Sequence, residues 1–103
     1  RTDRQEFSFW IQKDRLNITG INSAAYLMAL NNVQLESAYK LAKHVAHTSN
    51  HNPAYLDTLG YICIKTGRLD EAEKYLTKAL GILPFEKEIQ EHYAELMKAR
   101  KQP

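Results

Sequence analysis

Two stretches of this chain carry the same apolar pattern at a spacing of 34 residues. The six pairs of positions that coincide are Leu35/Leu69, Ala38/Ala72, Leu41/Tyr75, Ala42/Leu76, Val45/Ala79 and Ala46/Leu80. Within each stretch these positions follow the spacing i, i+3, i+6, i+7, i+10 and i+11, which places them on one face of a helix. Because such a helix buries its face only against a neighbour, the pattern predicts an all-α fold of stacked, repeated helical units.

A second helical pattern precedes the later copy and completes a repeat unit over 53–84. Its landmarks are Leu59, Gly60, a break at Gly67, and then Ala72, Leu76, Ala79 and Pro84. This order resembles the tetratricopeptide repeat (TPR), in which a Leu-Gly pair is followed by Ala-x3-aromatic and Pro on a 34-residue period. Leu56, Cys63 and Leu76 stand where the family has Trp, Tyr and Phe. The resemblance implies antiparallel helix pairs wound as a right-handed superhelix, with the small residues at close contacts between helices.

The repeat units predict four segments along the chain. They are an N-terminal extra or capping helix over 1–20, a degenerate first repeat over 21–52, a second repeat over 53–86 and a closing, capping helix over 87–103. In the first repeat, a gapless alignment puts Tyr26 in the slot of Gly60, where it would overpack a close contact. A turn one residue shorter at Asn32-Val33 is preferred, because it places Ala25 in that slot and matches Tyr26 with Tyr61.

The N-terminal segment departs from the repeat. Phe7 and Trp10 share one face of a predicted helix, which is expected to end over 17–20. Two interpretations stay open: a degenerate second helix of a pair, or an added helix whose aromatic side chains cover the first pair. Between the two repeats, Asn52 is the predicted N-cap of a helix that has Pro53 at its first position.

The composition excludes several classes of protein. A chain of 103 residues with a formal net charge of +2 is one domain without the basic surface that nucleic-acid binding needs. One cysteine rules out an intrachain disulfide and leaves the compartment unassigned. No apolar run approaches the roughly 18 residues of a membrane span, so direct membrane insertion is not expected. Because the chain begins with Arg1, we expect it to be a piece of a longer protein.

The residues that could carry chemistry do not form a recognisable site. His44, His47 and His51 have helical spacing, but no cysteine or carboxylate completes a ligand set beside them. His92 is expected to be isolated and exposed. Cys63 lies in an interior stripe, where cysteine behaves as a small hydrophobe rather than a nucleophile. No catalytic residue, metal or cofactor is therefore predicted.

The TPR resemblance also implies a binding surface, the inner or concave face that the first helix of each pair supplies. The positions carried over to it are Asn22, Tyr26 and Ala29, then Asp57, Tyr61, Ile64 and Lys65, then Glu91, His92 and Glu95. Some members grip C-terminal carboxylates with Lys and Asn here, but this chain lacks those cations and has Glu88 instead. Tyr26 and Tyr61 suit a peptide or helix with one apolar anchor. An equally good alternative is that the two rings stack only on each other, as packing between repeats.

The family resemblance predicts a non-catalytic scaffold that binds a protein or peptide segment in the concave face. The alternative is the structural end of a longer TPR array in a bacterial envelope, secretion or enzyme-associated assembly, with no ligand of its own. The Asp-Thr-Leu-Gly-Tyr run at 57–61 is similar to repeats near the C-terminal ends of bacterial TPR proteins. Apolar residues near both ends further predict weak homodimerisation through a terminus, with Phe7, Phe9 and Trp10 at one end and Tyr93 and Met97 at the other.

Overall fold

The computed structural model describes residues 18–49 and 52–101, and this part of the chain is built from α-helices without strands. Five helices follow one another: α1 (Ile18–Leu30), α2 (Leu35–Thr48), α3 (Pro53–Lys65), α4 (Leu69–Ile82) and α5 (Lys87–Lys101). Each helix packs on the next, and α3 also contacts both α1 and α5. Such neighbour-by-neighbour packing is that of a helical repeat, so the predicted fold class is confirmed. The predicted helix that carries Phe7, Phe9 and Trp10 lies outside the described residues.

The first described helix begins earlier than the sequence predicts. Ile18 to Gly20, expected to end a preceding helix, form the first turn of α1. The reason is the apolar stripe, because Ile21 and Ala25 are fully buried and Ile18 packs against the same core. This burial outweighs the roughly 1 kcal/mol that a glycine costs inside a helix.

Helix α3 is the centre of the structure. Every residue from Leu56 to Cys63 is buried, because neighbouring helices cover this helix on several sides. Its start is the predicted one: the side chain of Asn52 accepts a hydrogen bond from the backbone N–H of Ala54 at 2.9 Å, and Pro53 occupies the first turn. None of the described helices is both long enough and apolar enough to span a bilayer.

The turns that follow α1 and α3 are closed by hydrogen bonds of the same pattern. Val33 N–H donates to Met28 C=O at 2.9 Å, and Arg68 N–H donates to Cys63 C=O at 2.8 Å. In both turns the preceding residue is left-handed, with φ of 55° at Asn32 and 81° at Gly67. Asparagine thus takes the conformation that glycine takes in the second turn.

The spacing after these left-handed residues corrects the predicted turn length. Asn32 precedes Leu35, the start of α2, by three positions, whereas Gly67 precedes Leu69, the start of α4, by two. The first turn is therefore one residue longer than the second, not shorter. The additional residue is Gln34, which also has a positive φ, of 47°. Of the two matched pairs that motivated the change, Ala25 and Gly60 are both buried, whereas Tyr26 is half-buried and Tyr61 is buried.

A polar cluster joins α2 to the start of α4. The Tyr39 hydroxyl donates to Glu71 Oε1 at 2.7 Å and accepts from Lys43 Nζ at 3.2 Å. The Arg68 guanidinium lies 3.8 Å from the centre of the Tyr39 ring and makes two hydrogen bonds to the Glu36 carboxylate. These contacts fix the second helix of one pair against the second helix of the next.

Replacing Tyr39 by Phe is expected to lower the free energy of unfolding by about 1 kcal/mol, because the Glu71 carboxylate loses a donor that water only partly replaces. Chemical denaturation of wild type and variant measures this change. The control is Tyr93→Phe on α5, whose ring is half-buried, whereas that of Tyr39 is buried. Equal stability of Tyr39→Phe and wild type would show that the hydroxyl contributes nothing to the fold.

Candidate functional site

Three aromatic rings meet where α1, α3 and α5 come together. The Tyr26 and Tyr61 ring centres are 5.3 Å apart, and the Tyr61 and His92 ring centres are 4.7 Å apart. Tyr61 and His92 are buried, whereas Tyr26 is half-buried at the edge of the cluster. The two tyrosine rings are therefore in contact, as expected from the alternative in which they pack against each other between repeats. This contact leaves Tyr26 as the ring of this pair that remains open to solvent.

His92 is not isolated and exposed as the sequence suggested; only 7% of its surface is exposed. Its Nδ1 shares a hydrogen bond of 2.7 Å with Asp57 Oδ1, and Asp57 is equally buried. Burial by itself lowers the pKa of His92, but the Asp57 hydrogen bond and the charges of Asp57, Glu88 and Glu95 outweigh it and raise the pKa above its usual value. The sequence feature that could have predicted this burial is the spacing, because His92 falls between Ile89 and Leu96 on the apolar stripe of α5.

A groove of about 590 Å³ opens beside this pair. Its walls come from the middle of α1, the first half of α3, the connection after α4 and the first turn of α5. The polar residues along it include Asn22, Tyr26, Asp57, Thr58, Glu86 and Glu88, and its apolar rim includes Leu27 and Leu83. No lysine or arginine of the described residues lines it. The groove is thus an acidic and acceptor-rich surface with an apolar edge.

The electrostatic field of the groove acts on Tyr26. Burial, together with the charge of Glu88 and a hydrogen bond to it, raises the pKa of Tyr26 to about 12. The charge of Asp57 adds to this shift. Both carboxylates therefore disfavour deprotonation of the Tyr26 hydroxyl, which stays a hydrogen-bond donor at neutral pH.

The predicted concave-face residues divide into three groups. Asn22, Tyr26 and Asp57 line the groove, although Asp57 is buried at its base. Tyr61 lies beneath the surface, and Lys65 Nζ sits 5.8 Å from the centre of its ring. Glu91 and Glu95 are exposed on α5 and are not part of the groove. Of the other predicted positions, Ala29 and His92 are buried and Ile64 is half-buried. Sequence reasoning missed Glu86, Leu27 and Leu83 as groove residues.

Most of the predicted repeat positions are buried. Gly60, Ala72, Leu76 and Ala79 are buried, as is Leu59, whereas Pro84 is exposed in the turn before α5. A Cβ atom on Gly60 would stand 2.6 Å from Cγ of Leu76. The backbone of α3 therefore approaches the side chains of α4 so closely that only glycine fits this position. On α5, Ala94 occupies the equivalent repeat position and is exposed, because no described helix packs against that side.

One group of described residues has the side chains and spacing to hold a metal ion. Ligand atoms of Asp57, Glu88 and His92 all lie within 4.8 Å of one another. On α2, His44 is half-buried and His47 is exposed, and His51 lies outside the described residues. The absence of a metal or cofactor stays a prediction.

The lone cysteine is unsuited to nucleophilic chemistry. Cys63 is completely buried, and this burial, with a smaller contribution from Glu71, raises the pKa of its thiol to about 12. At neutral pH the thiol is therefore protonated and inaccessible. Its place in the core agrees with a packing role.

Comparison with known proteins adds one relative. Over 91 residues the chain is 29% identical to a TPR repeat-containing protein of Pseudomonas aeruginosa. The chain is similar to a TPR protein. The match covers 88% of this chain but only 15% of the relative, so the chain spans a small part of that protein's length. No protein-family model matches the sequence, and no solved structure matches it.

Proposed function

We propose that this chain is a TPR-type, non-catalytic interaction module that binds a partner segment along α1, α3 and α5. The observation that carries the proposal is the open groove between these helices, whose volume suits several side chains of a peptide. Its exposed apolar rim, with Leu27 56% exposed, offers contact area, and Asn22 and Tyr26 offer hydrogen bonds. The similarity to a TPR protein and the helical-repeat fold support the same class of function.

A peptide selection tests this function. Random 12-residue peptides displayed on phage are selected against the immobilised chain, and enriched peptides are resynthesised for affinity measurements. Leu27→Ala is expected to weaken their binding about fivefold or more, because it removes an exposed contact from the groove. The matched control is Leu30→Ala on the same helix, since Leu30 is 46% exposed but does not line the groove. If no enriched peptide distinguishes these variants, the groove is not the binding surface.

The second candidate is the end of a longer array without a ligand of its own. It is favoured by the outer face of α5, where Tyr93 and Met97 are only half-buried because no described helix covers them. On this hypothesis the face docks on a further helix or on a second copy, giving a weak dimer. Light scattering over a wide concentration range tests the dimer, and Met97→Glu is expected to abolish it. A monomer at the highest attainable concentration refutes self-association.

A further inference from the structure

The groove presents hydrogen-bond acceptors and negative charge to whatever occupies it. Asp57, Glu86 and Glu88 bring three carboxylates, whereas lysine and arginine are absent from its described walls. The imidazole of His92, which lies beside the groove, is already hydrogen-bonded to Asp57. A ligand that offers N–H donors and positive charge would complement this surface, whereas an anion would be repelled.

A second observation points independently to a missing donor. The side-chain Oδ1 of Asn22 is buried from solvent and has no hydrogen-bond partner among the described residues. Leaving a buried acceptor unpaired is costly, so native structures rarely keep one without a purpose. Asn22 lines the groove from α1, whereas the Asp57 and Glu88 carboxylates come from α3 and α5.

The apolar rim decides between a metal ion and an organic cation. Leu27 and Leu83 line the same groove and are 56% and 40% exposed. A bare ion gains nothing from them, whereas the methylene stem of a basic side chain packs on such surface while its charged head reaches polar groups. The volume of about 590 Å³ likewise exceeds what an ion fills.

The Asp57–His92 pair also speaks against a metal ion. Its two atoms stand 2.7 Å apart, whereas two ligands of a tetrahedral zinc ion lie roughly 3.4 Å apart at ordinary zinc–ligand distances. A metal would have to break this buried hydrogen bond. A basic side chain can donate to the carboxylate oxygens that the Asp57–His92 hydrogen bond does not use, and it leaves that pair intact.

We propose that the groove receives an arginine side chain of the partner segment, with Glu88 and Asp57 facing the guanidinium and the Asn22 side chain turning so that its Oδ1 accepts one of the N–H groups. This inference rests on the proposed interaction function and names the chemistry of the partner. Arginine fits better than lysine, because its planar fork of five donors can reach acceptors on several helices at once. Binding of this kind weakens as salt concentration rises.

Nuclear magnetic resonance titration of the 15N-labelled chain tests the proposal. The probes are the acetylated, amidated peptide Ala-Ala-Leu-Arg-Leu-Ala and two analogues with citrulline or glutamate in place of arginine. Citrulline has the shape of arginine without its charge. The arginine peptide is expected to shift the side-chain amide of Asn22 and to bind at least tenfold more tightly than either analogue. Glu88→Gln is expected to remove most of that preference.

The control variant is Glu91→Gln, which removes an exposed carboxylate of the same helix outside the groove. It should leave the preference for arginine unchanged. Glu88 lies in the first turn of α5, where it also stabilises the helix, so unfolding is measured for both variants. Comparing the arginine and citrulline peptides on each variant separates recognition from stability.

Three results would overturn the proposal: equal binding of the arginine and citrulline peptides, an unchanged preference in Glu88→Gln, or saturation by stoichiometric zinc chloride that blocks the arginine peptide. The last would establish a metal site at Asp57, Glu88 and His92 instead. Phage-selected peptides that lack basic residues but lose binding in Leu27→Ala would refute the arginine chemistry alone. Selected peptides that bind Leu27→Ala as tightly as wild type would refute the interaction function at this groove as well.

Discussion

Replacing Gly60 by Ala is expected to lower the free energy of unfolding by about 2 kcal/mol, although alanine is the better helix former. The added Cβ would lie 2.6 Å from Cγ and 2.7 Å from Cδ2 of Leu76. Leu76 is fully buried, so it can move only by displacing other core side chains. Thermal unfolding should show the midpoint about 10 °C lower, since 1 kcal/mol corresponds to roughly 4–8 °C in a domain of this size.

Two other glycines provide matched controls for Gly60. Gly81 lies near the end of α4 with nothing within 4 Å of its would-be Cβ, so Gly81→Ala should be neutral or slightly stabilising. Gly67 also has free space but a φ of 81°, so Gly67→Ala should destabilise through backbone strain alone, by about 1 kcal/mol. If Gly60→Ala behaved like Gly81→Ala, the close contact between α3 and α4 would be refuted.

A double-mutant cycle assigns the cost to the Gly60–Leu76 contact. Leu76→Ala alone should be strongly destabilising, because it leaves a cavity in the core. In the Gly60→Ala background the same change should cost measurably less, since it also relieves the overlap. Additive effects of the two substitutions would place the strain elsewhere.

Asp57→Ala is the second substitution with a large expected effect, and it should lower the free energy of unfolding by about 3 kcal/mol at pH 6. The substitution leaves the buried His92 without its hydrogen-bond partner and, when the imidazole is protonated, without a neutralising charge. The control is Asp70→Ala, because Asp70 pairs with Arg100 while its side chain is 97% exposed. An exposed pair contributes little, so this loss should be much smaller.

The pH dependence of stability tests the same pair. The pKa of His92 is raised in the folded protein, so protonation favours the folded state. This stabilisation is complete below the unfolded pKa of about 6.5 and disappears as the pH rises through the folded value. The difference in unfolding free energy between wild type and His92→Gln should therefore shrink from pH 6 to pH 9. A constant difference across this range would show that folding leaves the pKa of His92 unchanged, and a difference that grows with pH would show that folding lowers it.

Much of the fold follows from local rules that the sequence displays. The 34-residue repeat of apolar residues in α2 and α4 predicts two equivalent helices, because a buried helical face requires its apolar residues in a fixed order. Asn52 and Pro53 mark the start of α3 for equally local reasons, a side chain that caps and a ring that fits the first turn. Asn32 and Gly67 mark the ends of α1 and α3 through their tolerance of positive φ.

The candidate site could be predicted only in part, because it depends on contacts between distant helices. The sequence supplied Asn22, Tyr26 and Asp57 through the family resemblance, but it treated His92 as a separate, exposed residue. The tertiary structure decided otherwise, since packing α5 on α3 buries His92 and gives it the Asp57 carboxylate. The sequence by itself thus determined the helices and their repeat. Only the packing of α1, α3 and α5 decided which polar groups are paired, which acceptor is left over and where the acidic groove opens.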